Sequence, residues 1–199
     1  LADETLAINW PIPLERSELS AADRSHPRLA DVTPAEPKQI LIIGAAGQLG
    51  RALSTMIPAA ASTTRATLDL GSPESIKNFD FAPYAVVINA GAYTKVDAAE
   101  TAAGRREAWA VNVAGVAALV EAARKHRFTL VHISSDYVFD GSVELHVETE
   151  PLSPLGVYGQ TKAAGDALVK SLPAHYLLRT SWVIGDGHNF IRTMASLAD

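Results

Sequence analysis

From Gln39 onward, short runs of aliphatic and β-branched residues alternate with longer helical stretches, and that alternation restricts the fold more than any other feature. The runs at residues 39–43, 85–89, 129–134 and 175–181 read as buried parallel strands, with helices predicted over 48–56, 73–79, 98–125 and 158–171. Parallel neighbours need crossover connections, which are right-handed, so the prediction is an α/β fold: a doubly wound parallel sheet of Rossmann-like type, covered on both faces. At 199 residues the chain is long enough for one core. A domain of that size buries ~70% of its unfolded surface.

Residues 1–38 break the pattern. They hold five of the 11 prolines, and proline fixes φ and removes a backbone donor, so this segment reads as an extended arm or linker with one helical turn near residues 20–24. Its apolar residues Ile8, Trp10, Ile12 and Leu14 alternate, as in a strand or an arm laid over another surface. The division expected is therefore an arm over 1–38 and a dinucleotide-binding domain over 39–199.

Composition narrows the function classes. No cysteine is present, which excludes disulfides, Cys-ligated zinc and thiol catalysis. With 17 Lys+Arg against 22 Asp+Glu, the chain lacks the basic footprint of a nucleic-acid binder. The longest apolar runs are far shorter than the ~20 residues that span a bilayer, and the opening residues carry acids without a basic region, unlike a secretory signal. A cytoplasmic location with no membrane partner is expected. The six histidines show no ligand-like spacing, so no metal site is predicted.

The first chemical signal is Gly44-Ala-Ala-Gly47-Gln-Leu-Gly50, between the first strand and an amphipathic helix. Glycines let the backbone approach a pyrophosphate, and the helix N-terminus offers N–H groups and a favourable dipole. The plain alternative is a turn that permits tight strand–helix packing. Its position at the end of strand one favours the ligand reading, because open α/β sheets bind ligands there. The segment 59–70 should contain the end of the strand that follows the first helix; there Arg65 could meet a 2′-phosphate, slightly favouring NADPH over NADH, while Asp69 could bond the adenine or cap the helix starting near Ser72. Asn89-Ala90-Gly91-Ala92 ends the next strand with small residues, which suits a cofactor crossing the sheet edge and equally a plain turn.

Tyr158 and Lys162 lie four residues apart, hence on one helix face, and Ser135 follows the strand at 129–134. Carbonyl reduction by hydride needs a proton donor to the oxygen gaining charge. Tyrosine's ordinary pKa of ~10 is high for that exchange, and a neighbouring ammonium lowers it. A serine hydroxyl can hydrogen-bond and orient the carbonyl. The loop at 140–154, with Glu144, Glu148 and Glu150, is long enough for a lid and equally suits a solvated segment.

The stretches GAAGQLG, NAGAYTKVDAAE, SSDYVFDG, PLSPLGVYGQTKAAGD and LRTSWVIG resemble the extended short-chain dehydrogenase/reductases, and among them the dTDP-4-dehydrorhamnose reductase family, over residues 39–199. The resemblance implies reduction of the 4-keto group of dTDP-4-dehydro-L-rhamnose to dTDP-L-rhamnose by NADPH or NADH. It implies that Tyr158 is the proton donor, Lys162 the tuning and ribose-binding residue and Ser135 the third catalytic hydroxyl, at a position where many members carry threonine. Tyr137, Trp182 and Asn189 would face the sugar. The candidate cofactor contacts are Gly44, Gly47, Gln48, Leu49, Gly50, Arg65, Asp69, Leu70, Ala90, Ala92, Tyr158 and Lys162.

Members of that family run well past this chain's last residue, which implies that the C-terminal substrate domain is largely absent and isolated activity weak or absent. Residues 1–38 resemble the C-terminal tail of dTDP-4-dehydrorhamnose 3,5-epimerase, implying an epimerase–reductase fusion as the parent; a homodimer is a further expectation. Two other readings compete. One is a non-catalytic, cofactor-binding regulatory subunit of reductase-like type, and the other is a nucleotide-sugar epimerase or dehydratase that recycles its cofactor.

Overall fold

The computed structural model describes residues 7, 9, 11–13, 16–32, 37–185 and 189–198. It divides into two compact units, Leu1–Pro37 and Lys38–Asp199. Among its described residues the first unit carries a short helix α1 (Ala21–Ser25) and a 3-10 turn at Leu29–Asp31. The predicted alternation cannot be followed there, since Ile8, Trp10 and Leu14 lie outside the described residues; Ile12 is exposed.

The second unit is built on five parallel strands, β1 (Gln39–Ile43), β2 (Ala61–Thr63), β3 (Tyr84–Asn89), β4 (Thr129–Ser135) and β5 (His175–Thr180), in the order β2-β1-β3-β4-β5. The helices are α2 (Gln48–Met56), α3 (Pro73–Asn78), α4 (Val96–Ala99), α5 (Ala102–Trp109), α6 (Val116–His126), α7 (Val157–Val169) and α8 (Phe190–Ala198). The sheet winds from β1 outward to β2, then returns past β1 to β3, β4 and β5. Right-handed crossovers therefore place α2 on one face and α3, α6 and α7 on the other. The doubly wound, Rossmann-like prediction is met, and the reversal creates a crevice between the ends of β1 and β3.

Leu41, Ile43, Val87 and Leu130 from the strands pack with Ile76, Leu119, Val120 and Val169 from the helices in one continuous core. The face of β4 and β5 turned to α7 carries Leu130, His132, Leu177 and Arg179. On the opposite face Tyr176 and Leu178 stand 64% and 48% exposed, so coverage of both faces does not extend to this edge strand.

The single helix predicted over 98–125 is replaced by α4, α5, a π-helical turn at Ala110–Gly115 and α6. Thr101 restarts the helix as an N-cap for Gly104 N–H (3.1 Å). In the wide turn, the buried Asn112 side chain receives Tyr93 N–H (2.9 Å) and donates to Tyr93 C=O (3.1 Å) and Thr161 Oγ1 (3.0 Å). These bonds staple the segment after β3 to α7.

Candidate active site

Gly44 has φ +83°, and a Cβ there would stand 2.7 Å from the Gly91 Cα, so the close approach of the two strand ends requires glycine at 44; a Cβ on Gly91 would instead stand 2.7 Å from Leu70 Cδ1. A Cβ on Gly50 would drive into the Gly44 carbonyl oxygen, which explains how α2 can start directly against the turn. Gly47 is the N-cap and supplies no side-chain hydrogen bond. The first N–H groups of α2 thus lack a capping side chain and face a cavity of about 700 Å³ lined by Gly44, Gly47, Gln48 and Leu49. Gln48 also reaches Val183 C=O (3.2 Å), tying the turn to the segment after β5.

The same cavity is lined by Arg65, Asp69 and Leu70 beyond β2, by Ala90 and Ala92 beyond β3, and by Ser135, Tyr158 and Lys162. Gly50 lies behind the turn, and Tyr137, Trp182 and Asn189 are outside the lining. Arg65 is largely exposed, 3.5 Å from Asp69 in an ion pair. The helix-cap alternative for Asp69 is corrected: Ser72 is the N-cap of α3, whereas the Asp69 carboxylate accepts Gly71 N–H (2.9 Å) within the preceding turn.

The opposite wall rests on α7, whose first turn is capped by the Glu100 carboxylate accepting Val157 N–H (2.7 Å). Gly159 and Gly165 let the helix touch backbone, since a Cβ would meet the Tyr137 and Asn112 carbonyl oxygens respectively. Ser135 donates to Asp136 Oδ1 (3.0 Å) and accepts Tyr137 N–H (3.2 Å), capping the 3-10 turn at Asp136–Val138. Tyr137 packs edge-on to Tyr158 with ring centroids 5.6 Å apart, and is 41% exposed. Trp182 is exposed. Asn189 spends both ends of its amide locally, donating to Gly185 C=O (2.8 Å) and accepting Arg192 N–H (3.1 Å) at the start of α8.

The electrostatics differ from expectation in one respect. Burial pushes the Tyr158 phenol above its ordinary pKa, with Asp136 adding to the effect and Ser135 opposing it. The expected acidification by Lys162 is not seen because its Nζ is directed elsewhere, to Ile133 C=O (2.7 Å) and His132 Nε2 (3.4 Å). Burial lowers Lys162 to about 8, with Asp166 opposing. Tyr158 is therefore a protonated O–H donor across the physiological range, and Lys162 titrates close to it.

Sequence reasoning passed over Asn112 and Glu100, named Asn89 only as part of the strand end at 89–92, and weighed His132 only as a metal ligand. His132 carried a signal: a polar residue two positions after Leu130, on the buried face of an otherwise apolar strand. Among the described residues no three His, Asp or Glu side chains group as a metal site, and His188 is outside them.

A family model described as the RmlD substrate binding domain matches residues 38–199. The chain belongs to the RmlD substrate-binding domain family. Its relatives include a dTDP-4-dehydrorhamnose reductase of Aggregatibacter actinomycetemcomitans, 43% identical over 171 residues, covering 80% of this chain and 57% of that protein. Among solved structures, a dTDP-4-dehydrorhamnose reductase from Clostridium acetobutylicum is similar with a TM-score of 0.74 and 37% identity, over 80% of this chain and 59% of that one. The Bacillus anthracis dTDP-4-dehydrorhamnose reductase in complex with NADP has a TM-score of 0.74 and 32% identity, over 81% and 60%. This RmlD-family chain thus spans a little over half the length of those relatives. None of its described helices is long and apolar enough to cross a membrane.

Proposed function

We propose that this chain is the cofactor-binding half of a dTDP-4-dehydrorhamnose reductase, which reduces the 4-keto group of dTDP-4-dehydro-L-rhamnose to dTDP-L-rhamnose with NADPH or NADH. The carrying observation is one cavity that joins a side-chain-free helix N-terminus to Ser135, Tyr158 and Lys162. The residues fit a dinucleotide: Gly44 and Gly47 open the backbone to a pyrophosphate, and Ala90 and Ala92 leave room across the strand ends. Arg65 at the rim favours a 2′-phosphate, and the NADP complex of the Bacillus anthracis relative supports NADPH.

The nicotinamide, when bound, supplies the hydride that adds to the ketone carbon. The chain's own part is to place and protonate. Tyr158, held protonated by its burial, donates its phenolic proton to the oxygen that becomes the new hydroxyl, and Ser135 beside it orients the carbonyl. Lys162 lines the same cavity, where by the resemblance it would bind the cofactor's ribose. Tyr137 and Trp182, both exposed, would complete the sugar side together with chain that the relatives possess beyond the matched region. Asn189 is better read as the cap of α8.

The finer parts of the reading rest on resemblance. Residues 1–38 as an epimerase-like tail imply an epimerase–reductase parent, in a homodimer acting in the cytoplasm. Assaying the parent polypeptide with dTDP-4-dehydrorhamnose tests the main proposal: stoichiometric oxidation of NADPH or NADH supports it, and recycling of the cofactor refutes it. The mass of the parent polypeptide and its sedimentation test the fusion and the dimer.

A further inference from the structure

Behind the candidate site, three buried polar side chains form a line from the strand end opposite the glycine turn to Lys162. Asn89 is 0% exposed, His132 1% and Lys162 2%. Asn89 and His132 are paired across β3 and β4, and neither lines the cavity. Asn89 Oδ1 accepts Gly91 N–H (3.2 Å), which orients the amide so that its Nδ2 faces His132 Nδ1 (3.0 Å).

An amide nitrogen only donates, so Nδ1 must present its lone pair. Burial, then the neighbouring Lys162, pushes His132 well below the ordinary imidazole range, so the ring is neutral and its single proton sits on Nε2. Nε2 stands 3.4 Å from Lys162 Nζ. An ammonium has no lone pair with which to receive that N–H. A neutral amine has one, and can still donate to Ile133 C=O at 2.7 Å. Every polar atom in the line is therefore satisfied only when Lys162 is uncharged.

We infer that Asn89 and His132 are positioning residues for Lys162: Asn89 holds the imidazole as its Nε2–H tautomer, and that N–H holds Lys162 toward its neutral amine. The other titratable groups around it are Tyr158 and Asp166 on its own helix, with Arg179 from β5 paired to Asp166 at 3.4 Å. Asp166 favours the ammonium, so the two sides of Lys162 pull in opposite directions and set it to change charge within reach of physiological pH. The consequence for catalysis rests on the proposed reductase reading; the tautomer and the amine do not.

The test uses the 199-residue chain with 15N-labelled histidine and 13C-labelled lysine, without substrate or cofactor. The ring nitrogens of His132 are expected to show a bare Nδ1 and a protonated Nε2, whereas a protonated Nδ1 overturns the inference. In Asn89→Asp the carboxylate demands a proton on Nδ1. The tautomer should then reverse and the Lys162 midpoint rise by about one pH unit or more. His132→Gln, which offers a carbonyl oxygen, should also raise it. An unmoved Lys162 midpoint in both variants overturns the inference, and should neither variant fold, the tautomer of the unmodified chain decides alone. A parent enzyme that fails to reduce the keto sugar would sink the reductase reading and leave these resonances unchanged.

Discussion

The two walls of the crevice are built in opposite ways. On the β1–β3 side the contacts are made by absence of side chains: Gly44 against Gly91, Gly50 against the Gly44 carbonyl, and an uncapped helix start. On the β4–α7 side they are made by side chains taken out of water, with His132, Lys162 and Asp166 all buried. A wall of bare backbone can hold phosphate but has no proton to give. A wall of buried side chains has tuned protons and bears their desolvation cost. Substitutions should therefore separate binding and folding on one wall from chemistry and pH dependence on the other.

The largest effect is expected at Gly50. Gly50→Val forces a branched side chain into backbone and should cost more than about 3 kcal/mol of stability. NADPH binding should be lost with it, as read by urea unfolding and a fluorescence titration. Retained cofactor binding would break the account of that wall. Next comes Tyr158→Phe in the parent enzyme, which should lower kcat by about 10²–10⁴ while cofactor Kd changes by less than about threefold. Equal losses in both would erase the distinction between the walls.

Lys162→Met tests the desolvation cost. Below pH 8 the folded and the unfolded chain both hold the lysine proton, so the folded state bears the full penalty. From about 8 to 10.5 only the unfolded chain holds it, and stability rises with pH. Removing the amine should therefore stabilise the chain by ~1–3 kcal/mol at pH 7. The gain should shrink across that window in denaturant titrations. A gain that does not vary with pH would place the penalty elsewhere. Arg65→Ala should weaken NADPH about tenfold and leave NADH unchanged by calorimetry, about 1.4 kcal/mol. The smallest change is Ser72→Ala, which removes the cap of α3 for ~1 kcal/mol with cofactor affinity intact.

Much of the fold was legible in the sequence. The strand at Gln39–Ile43 and the helix at Gln48–Met56 agree with expectation at both ends, because an apolar run, a glycine turn and an amphipathic repeat are local signals. The helix read as continuous over 98–125 was not: it restarts at the Thr101 cap and widens at Asn112, whose side chain bonds 19 positions back to Tyr93 and 49 forward to Thr161, partners that no local pattern encodes. For the same reason Tyr158, Lys162 and Ser135 could be picked out together while the direction of Lys162 could not. A spacing of four residues says that two side chains share a helix face, and nothing about which neighbour an ammonium will find.

The sequence by itself determined a parallel α/β sheet with a glycine turn at its first strand end and a tyrosine, lysine and serine later in the chain. Those follow from periodicity and from glycine's missing side chain, which act over a few residues. Tertiary structure alone decided that Tyr158 is raised rather than acidified, that Lys162 is turned to His132, and that Asn89 orients that ring. Charge states and tautomers depend on burial and on partners brought together from β3, β4 and α7, and only packing brings those elements within hydrogen-bonding distance.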